Sequence, residues 1–94
     1  MTKHRRYIII DERDNVATTI EDIDDNEIVT TDRGDIRIVQ HIPFGHKFAL
    51  EDMEAGDYVI KYGERIGRVT ATLTKGSHVH VHNVEDIVDE VRKN

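Results

Sequence analysis

Apolar residues come in short bursts separated by polar interruptions. Residues 7–10 (Tyr-Ile-Ile-Ile) lead into a polar run over 11–15, and the burst over 16–20 leads into an acidic run over 21–26. Each burst has the length of a short strand, and each interruption carries Asp and Asn, which bend a chain by hydrogen-bonding their own backbone. A third strand is predicted over 27–31, a turn over 32–35 and a fourth strand over 36–42, in which Ile36, Ile38 and Ile42 share one face. Pro43 and Gly45 predict a loop, because proline lacks the backbone donor and glycine accepts positive φ. A short piece over 47–50, a turn over 54–57 and a strand over 58–62 follow. Val69, Ala71 and Leu73 alternate with Thr70, Thr72 and Thr74 before Lys75-Gly76 and residues 77–82, which predicts a half-buried hairpin. Only the end has helical spacing: Val84, Ile87, Val88 and Val91 fall at i, i+3, i+4 and i+7, with Asn83 as N-cap, Glu85 and Asp86 in the first turn and Arg92 and Lys93 in the last. No internal repeat, low-complexity linker or heptad pattern is found. The expectation is a mainly β fold of short strands with one short C-terminal helix.

Composition narrows the function classes. The 94 residues make a single domain, 1–94, and 13 Lys+Arg against 19 Asp+Glu leave a net charge of −6, so no broad basic face is available for a phosphate backbone and nucleic acid is excluded as a partner. No apolar run approaches the roughly 18 residues of a membrane span, so the chain is read as cytoplasmic, with no membrane partner. There is no cysteine, hence no disulfide and no thiolate nucleophile, and any metal must be held by histidine and carboxylate. Hydrophobic residues amount to only 37%. So thin a core leaves little room to enclose a substrate on all sides, which predicts a subunit or binding module rather than a complete enzyme.

Six histidines change the picture. In Ser77-His78-Val79-His80-Val81-His82-Asn83, side chains two apart on a strand share a face at about 6.6–6.8 Å, so His78, His80 and His82 line one face and Val79 and Val81 the other. Two or three imidazoles could reach one metal ion; a solvated edge strand with a histidine face accounts for the same alternation. Imidazole without thiolate suits Fe, Mn, Zn, Ni or Cu, and the spacing does not choose among them. In Pro43-Phe44-Gly45-His46-Lys47-Phe48, a titratable group stands beside a fixed cation, an arrangement suited to a carboxylate substrate or equally to a solvated loop. Lys61 could add a second ammonium, or simply discourage sheet stacking. Asp14-Asn15 reads as a turn or as a polar pair bordering a site. The acidic 21–27 segment lacks the spacing and the glycine of a calcium loop, and no nucleophile elbow, phosphate loop or dinucleotide fingerprint is present.

Four blocks taken together are more specific than any one of them. Asp14-Asn15-Val16-Ala17, Gly45-His46-Lys47-Phe48-Ala49-Leu50, Val59-Ile60-Lys61-Tyr62-Gly63 with Ile66-Gly67, and Gly76-Ser77-His78-Val79-His80-Val81-His82-Asn83 occur in this order over most of the chain. In them the sequence resembles the small SAF-type module of the altronate dehydratase family of sugar-acid dehydratases and of the related sulfolactate sulfo-lyases. The resemblance implies a β-clip fold. It also implies a module that accompanies a much larger catalytic part; since the chain stops at Asn94, that part is expected to be a separate large subunit.

Such enzymes remove water from a hydroxy-carboxylic acid, or sulfite from sulfolactate, with a divalent metal, iron(II) first and manganese(II) as the alternative. Carried over, the resemblance puts His78, His80 and His82 toward the metal or substrate, with Asn83 orienting them or binding substrate; His46, Lys47 and Lys61 would bind substrate or the large subunit, and Asp14 and Asn15 would bind substrate or border the same site. The expected function is the small subunit of a two-component dehydratase, the alternatives being the small subunit of a sulfolactate sulfo-lyase and a non-catalytic SAF-type module that binds a ligand, a metal or a protein. Exposed β edges leave pairing with a second copy open.

Overall fold

In the computed structural model, which describes residues 6–87, the short bursts become short antiparallel strands, and no helix occurs among the described residues. Tyr7–Ile8 (β1), Val16–Thr19 (β2), Ile28–Thr31 (β3), Gly34–Arg37 (β4), Lys47–Ala49 (β5), Tyr58–Lys61 (β6), Glu64–Val69 (β7), His78–Val79 (β8) and Val84–Glu85 (β9) follow in chain order. They form a four-stranded sheet β1-β2-β5-β8, a hairpin β3-β4 and a three-stranded sheet β6-β7-β9. None of the helices is long and apolar enough to cross a membrane, there being none among these residues.

The expectation of no internal repeat is wrong, for the molecule is built twice. Ile23 bridges to Ile42 in the first half as Met53 bridges to Leu73 in the second. The Phe44 N–H donates to Asp22 Oδ1 at 2.7 Å as the Lys75 N–H donates to Asp52 Oδ1 at 2.8 Å. The Asp24 N–H donates to Glu27 Oε2 as the Glu54 N–H does to Asp57 Oδ2, and the β3-β4 hairpin answers the β6-β7 hairpin. In letters the likeness is sparse: Glu21-Asp22-Ile23 answers Glu51-Asp52-Met53, and Val29, Arg37 and Gly45 answer Val59, Arg68 and Gly76. Elsewhere the copies share hydrogen bonds rather than residues, and a bulge at Val59/Ile60 shifts the second copy's register.

Two aliphatic cores follow from the two halves. Ile23, Val29, Ile36, Ile38, Ile42 and Phe48 fill the first; Met53, Val59, Val69, Leu73 and Val79 fill the second. The wall between them is β2 with β5, whose alternate side chains face opposite ways: Ala17 and Phe48 enter the first core, Val16 and Ala49 the second. Strands buried on both faces bury more apolar area per residue, which is how a chain of this composition sustains a core.

Three sequence-based boundaries move. The strand predicted over 36–42 ends at Arg37, and Ile42 is buried through its bridge to Ile23, because the Val39 N–H turns away to the Gly76 carbonyl. The hairpin predicted around 69–82 is replaced by β6-β7, closed at Tyr62-Gly63 with φ of 58° and 72°, the two-residue turn that matches strand twist. Ala71 is exposed, and the second strand of the expected hairpin shortens to His78–Val79, leaving Val81 82% exposed. At the end, Val84–Glu85 is a strand paired with Arg68 and Val69, not the start of a helix. Gly67 admits it, since a Cβ there would run into the Val84 side chain. Val88 and Val91, on which the helix expectation also rests, lie outside the described residues.

Candidate metal centre

The pairing of β5 with β8 assembles the site. Phe48 faces His78 and Lys47 faces Val79 across this ladder. Continued one step, the register puts His46 opposite His80, and the two rings stack with centroids 4.2 Å apart at 19°. His78 stacks on the same pair, 5.0 Å from His46 and 5.4 Å from His80. One ligand nitrogen from each of His46, His78 and His80 lies within 4.8 Å of the others, and all three side chains are half-buried. On one ion, nitrogens at about 2.0–2.1 Å from the metal sit about 3 Å apart, so small ring rotations close the set. Three imidazoles and open remaining positions fit a divalent first-row metal.

His82 stands outside this trio, its ring 5.1 Å from His78 and tilted 40°. The turn over 81–83 separates it from His80, so strict alternation does not carry it onto the shared face. His46, read from sequence as a substrate residue, takes the place beside His78 and His80. No signal within either segment reveals this; it depends on the register of two strands far apart in the chain.

Two of the three imidazoles are biased toward the neutral form. His46 Nδ1 and His78 Nε2 lie 2.8 Å apart, so one ring donates to the other, which only a neutral partner can accept. Burial, and then the neighbouring charges of His46, His82, His80 and His41, push His78 down to about 4. Burial first, then His46, Lys47 and His82, also lowers His80. Neutral imidazole is the form that binds metal, and an ion held by His46 and His78 would displace the proton these two rings share.

Three of the expected substrate residues have their side chains engaged within the fold. Asn83 Oδ1 accepts from the His80 N–H at 2.9 Å and its Nδ2 donates to the His78 carbonyl at 2.7 Å, bracing the backbone of two of the three imidazoles. Asn15 Nδ2 donates to the Tyr58 carbonyl and its Oδ1 accepts from the Ile60 N–H, both at 2.8 Å. Asp14 Oδ1 accepts from the Gly63 N–H at 2.8 Å and Oδ2 from the Asp11 N–H at 3.1 Å. All three are buried, and through the last two β2 is clamped to β6 and its turn.

Lys47 and Lys61 behave differently. They meet no carboxylate among the described residues, whereas Arg6, Arg13 and Arg68 are ion-paired. Burial, and then the positive charge of Lys61, lowers the Lys47 ammonium. The Lys47 charge also reaches the imidazole cluster, where it helps to lower His80.

Residues 5–87 match the altronate/galactarate dehydratase SAF domain. The chain belongs to this SAF-domain family. Altronate dehydratase of Escherichia coli (strain K12) is 42% identical over 78 residues, 83% of this chain but 16% of that protein. The (2R)-sulfolactate sulfo-lyase subunit alpha of Paracoccus pantotrophus is 48% identical over 58 residues, covering 60% of this chain and 87% of that one. Galactarate dehydratase (L-threo-forming) of Escherichia coli (strain K12) is 36% identical over 75 residues, 14% of its length. The SAF chain therefore corresponds to a small fraction of the dehydratases and to most of the sulfo-lyase subunit.

Proposed function

We propose that this SAF chain works as the small component of a lyase that eliminates water from a hydroxy-carboxylic acid, together with a larger catalytic dehydratase part. We assign a divalent cation, iron(II) first and manganese(II) as the alternative, to His46, His78 and His80. The observation that carries the reading is the convergence of these three imidazole nitrogens. When bound, such a metal supplies Lewis acidity toward a hydroxyl leaving group and a carboxylate. This chain's own residues do the rest of what is assigned to it: His46, His78 and His80 present their ring nitrogens, Asn83 fixes the backbone of two of them, and Lys47 and Lys61 attract the acid. Asp14 and Asn15 border the site as braces rather than as ligands.

A second reading, the alpha subunit of a sulfolactate sulfo-lyase, is favoured by the Paracoccus pantotrophus protein, 87% of whose length aligns with this chain. The chemistry is the same with sulfite as the leaving group. Affinity capture of the tagged chain from its own cells, followed by assays for 2-keto-3-deoxy acid and for sulfite with iron or manganese added, separates the two. A co-purifying large chain with dehydratase activity, lost on His78→Ala, is the expected result; sulfite release selects the second reading, and neither activity overturns both.

A further inference from the structure

The segment over 39–41 runs along β8, the last strand of its sheet. The Val39 N–H donates to the Gly76 carbonyl and Gln40 Oε1 accepts from the His78 N–H, both at 3.2 Å. The next residue is His41, a fifth histidine in the neighbourhood of the trio, near enough for its charge to bear on His78. Its partner is set by the first core. Ile23 and Ile42 exchange two backbone hydrogen bonds, at 2.8 and 3.0 Å, and one step further along the same antiparallel pairing Asp24 faces His41. His41 Nδ1 lies 3.0 Å from Asp24 Oδ1. An ionised carboxylate only accepts, so Nδ1 carries the proton and Nε2 keeps its lone pair. The same carboxylate stabilises the cation that forms when Nε2 takes up a proton. Of His41 and His82, the two histidines outside the trio, only His41 is backed by a carboxylate among the described residues.

The fold does not require this pair. Its side chains are 52% and 76% exposed, and an ion pair so placed contributes little to stability. The internal duplication supplies a direct comparison. The Met53–Leu73 bridge answers Ile23–Ile42, and the Thr70 N–H, which donates to the Asn83 carbonyl at 3.0 Å, answers the Val39 N–H. Yet Glu54 and Thr72 stand where Asp24 and His41 stand, so the second copy builds the same bridge with no imidazole. The pair occurs only in the copy whose bridge segment lies against a strand that carries the metal centre.

We propose that His41, held by Asp24, is the residue of this chain that moves the proton in the elimination. Its Nε2 takes the proton from the carbon next to the carboxylate. The electrons of that C–H bond form the double bond as the C–O bond breaks, and the imidazolium returns the proton to the departing hydroxide. The products are water and the enol of the keto acid, His41 ends as it began, and no other reactant is consumed. This rests on the hydroxy-acid reading above and gives it a proton carrier that no sequence motif singles out.

One arm of the test needs neither metal nor partner. A long-range ¹H–¹⁵N NMR spectrum of the full chain with chelator, at about pH 8 where ordinary histidines are neutral, is expected to show His41 protonated at Nδ1, and Asp24→Ala to shift it toward the Nε2 form. The other arm uses the chain in complex with its co-purified large part. His41→Gln is expected to lower kcat by about 100-fold or more, the usual contribution of a general acid–base group, while keeping the parent's melting temperature and Mn²⁺ affinity. His41→Gly is expected to regain activity on addition of free imidazole, which a purely structural histidine would not allow. No elimination by the parent complex overturns the hydroxy-acid reading and this assignment with it. An active parent with an equally active His41→Gln, a loss that imidazole does not restore, or an Nε2-protonated His41 in the parent overturns this assignment alone.

Discussion

Asn83→Ala should loosen the metal centre without touching a ligand. The side chain makes two hydrogen bonds, to the His80 N–H at 2.9 Å and to the His78 carbonyl at 2.7 Å, from a position only 7% exposed. Each is worth about 1 kcal/mol net, so truncation should cost about 2 kcal/mol, which for a domain of this size lowers the melting temperature by about 10 °C. The bond from the Asn83 N–H to the His80 carbonyl, at 3.0 Å, is a backbone contact that survives, so the turn is weakened rather than abolished. Because the two lost bonds fix the backbone that carries two of the three imidazoles, Mn²⁺ affinity should fall by about 10–100-fold, the usual loss when a residue that orients a ligand is removed. Thermal unfolding and calorimetric Mn²⁺ titration read the two effects separately. Asn83→Asp, which keeps the acceptor and loses the donor, should fall between. An Asn83→Ala protein with unchanged melting temperature and metal affinity, yet defective in catalysis with its partner, would refute the brace and restore the substrate role expected from sequence.

Asn15→Ala leaves the Tyr58 carbonyl and the Ile60 N–H unpaired inside the fold; a loss of about 2–4 kcal/mol in urea unfolding is expected, with Mn²⁺ affinity per folded molecule unchanged. Gly76→Ala forces a Cβ onto the Arg37 carbonyl oxygen at a φ of 91°, and should destabilise by at least about 2 kcal/mol or prevent folding, visible in circular dichroism. Stability should also fall with acid through His78. Its folded value near 4 lies below the ordinary 6.5, so the unfolded chain binds more protons between them; the contribution is full above pH 6.5 and is lost as pH drops toward 4. Discounted for solvent screening it is about 1–2 kcal/mol, and His78→Gln should flatten that part of the urea-midpoint profile.

The strands were legible where an apolar residue is followed by a polar one, as at Ile36 and Arg37. They were misplaced where a turn acts through the backbone: the Val39 N–H leaves its strand for the Gly76 carbonyl, and nothing in the Val39-Gln40-His41 run signals it. The duplication escaped because hydrogen bonds, not letters, repeat, and because the bulge in β6-β7 breaks a constant offset. At the site, His78 and His80 were visible from alternation within one segment. His46 was not assigned to the metal, since its place beside His80 depends on the β5-β8 register, which the separate patterns of the two segments do not determine. His82 was added by carrying the alternation into the turn over 81–83. An orienting role for Asn83 was legible through the resemblance, but the bonds by which it braces the backbone, like those of Asn15, needed the carbonyl and amide groups they bind, which leave no mark on residue type.

Calorimetric titration of Mn²⁺ and, under anaerobic conditions, Fe²⁺ into the full chain and its four single alanine variants at His46, His78, His80 and His82 tests the metal assignment most directly. Loss of any of the first three should reduce affinity by more than the roughly 10–100-fold seen for an orienting residue, while His82→Ala should bind as the parent does. Retained binding in His46→Ala together with lost binding in His82→Ala would contradict the centre described above.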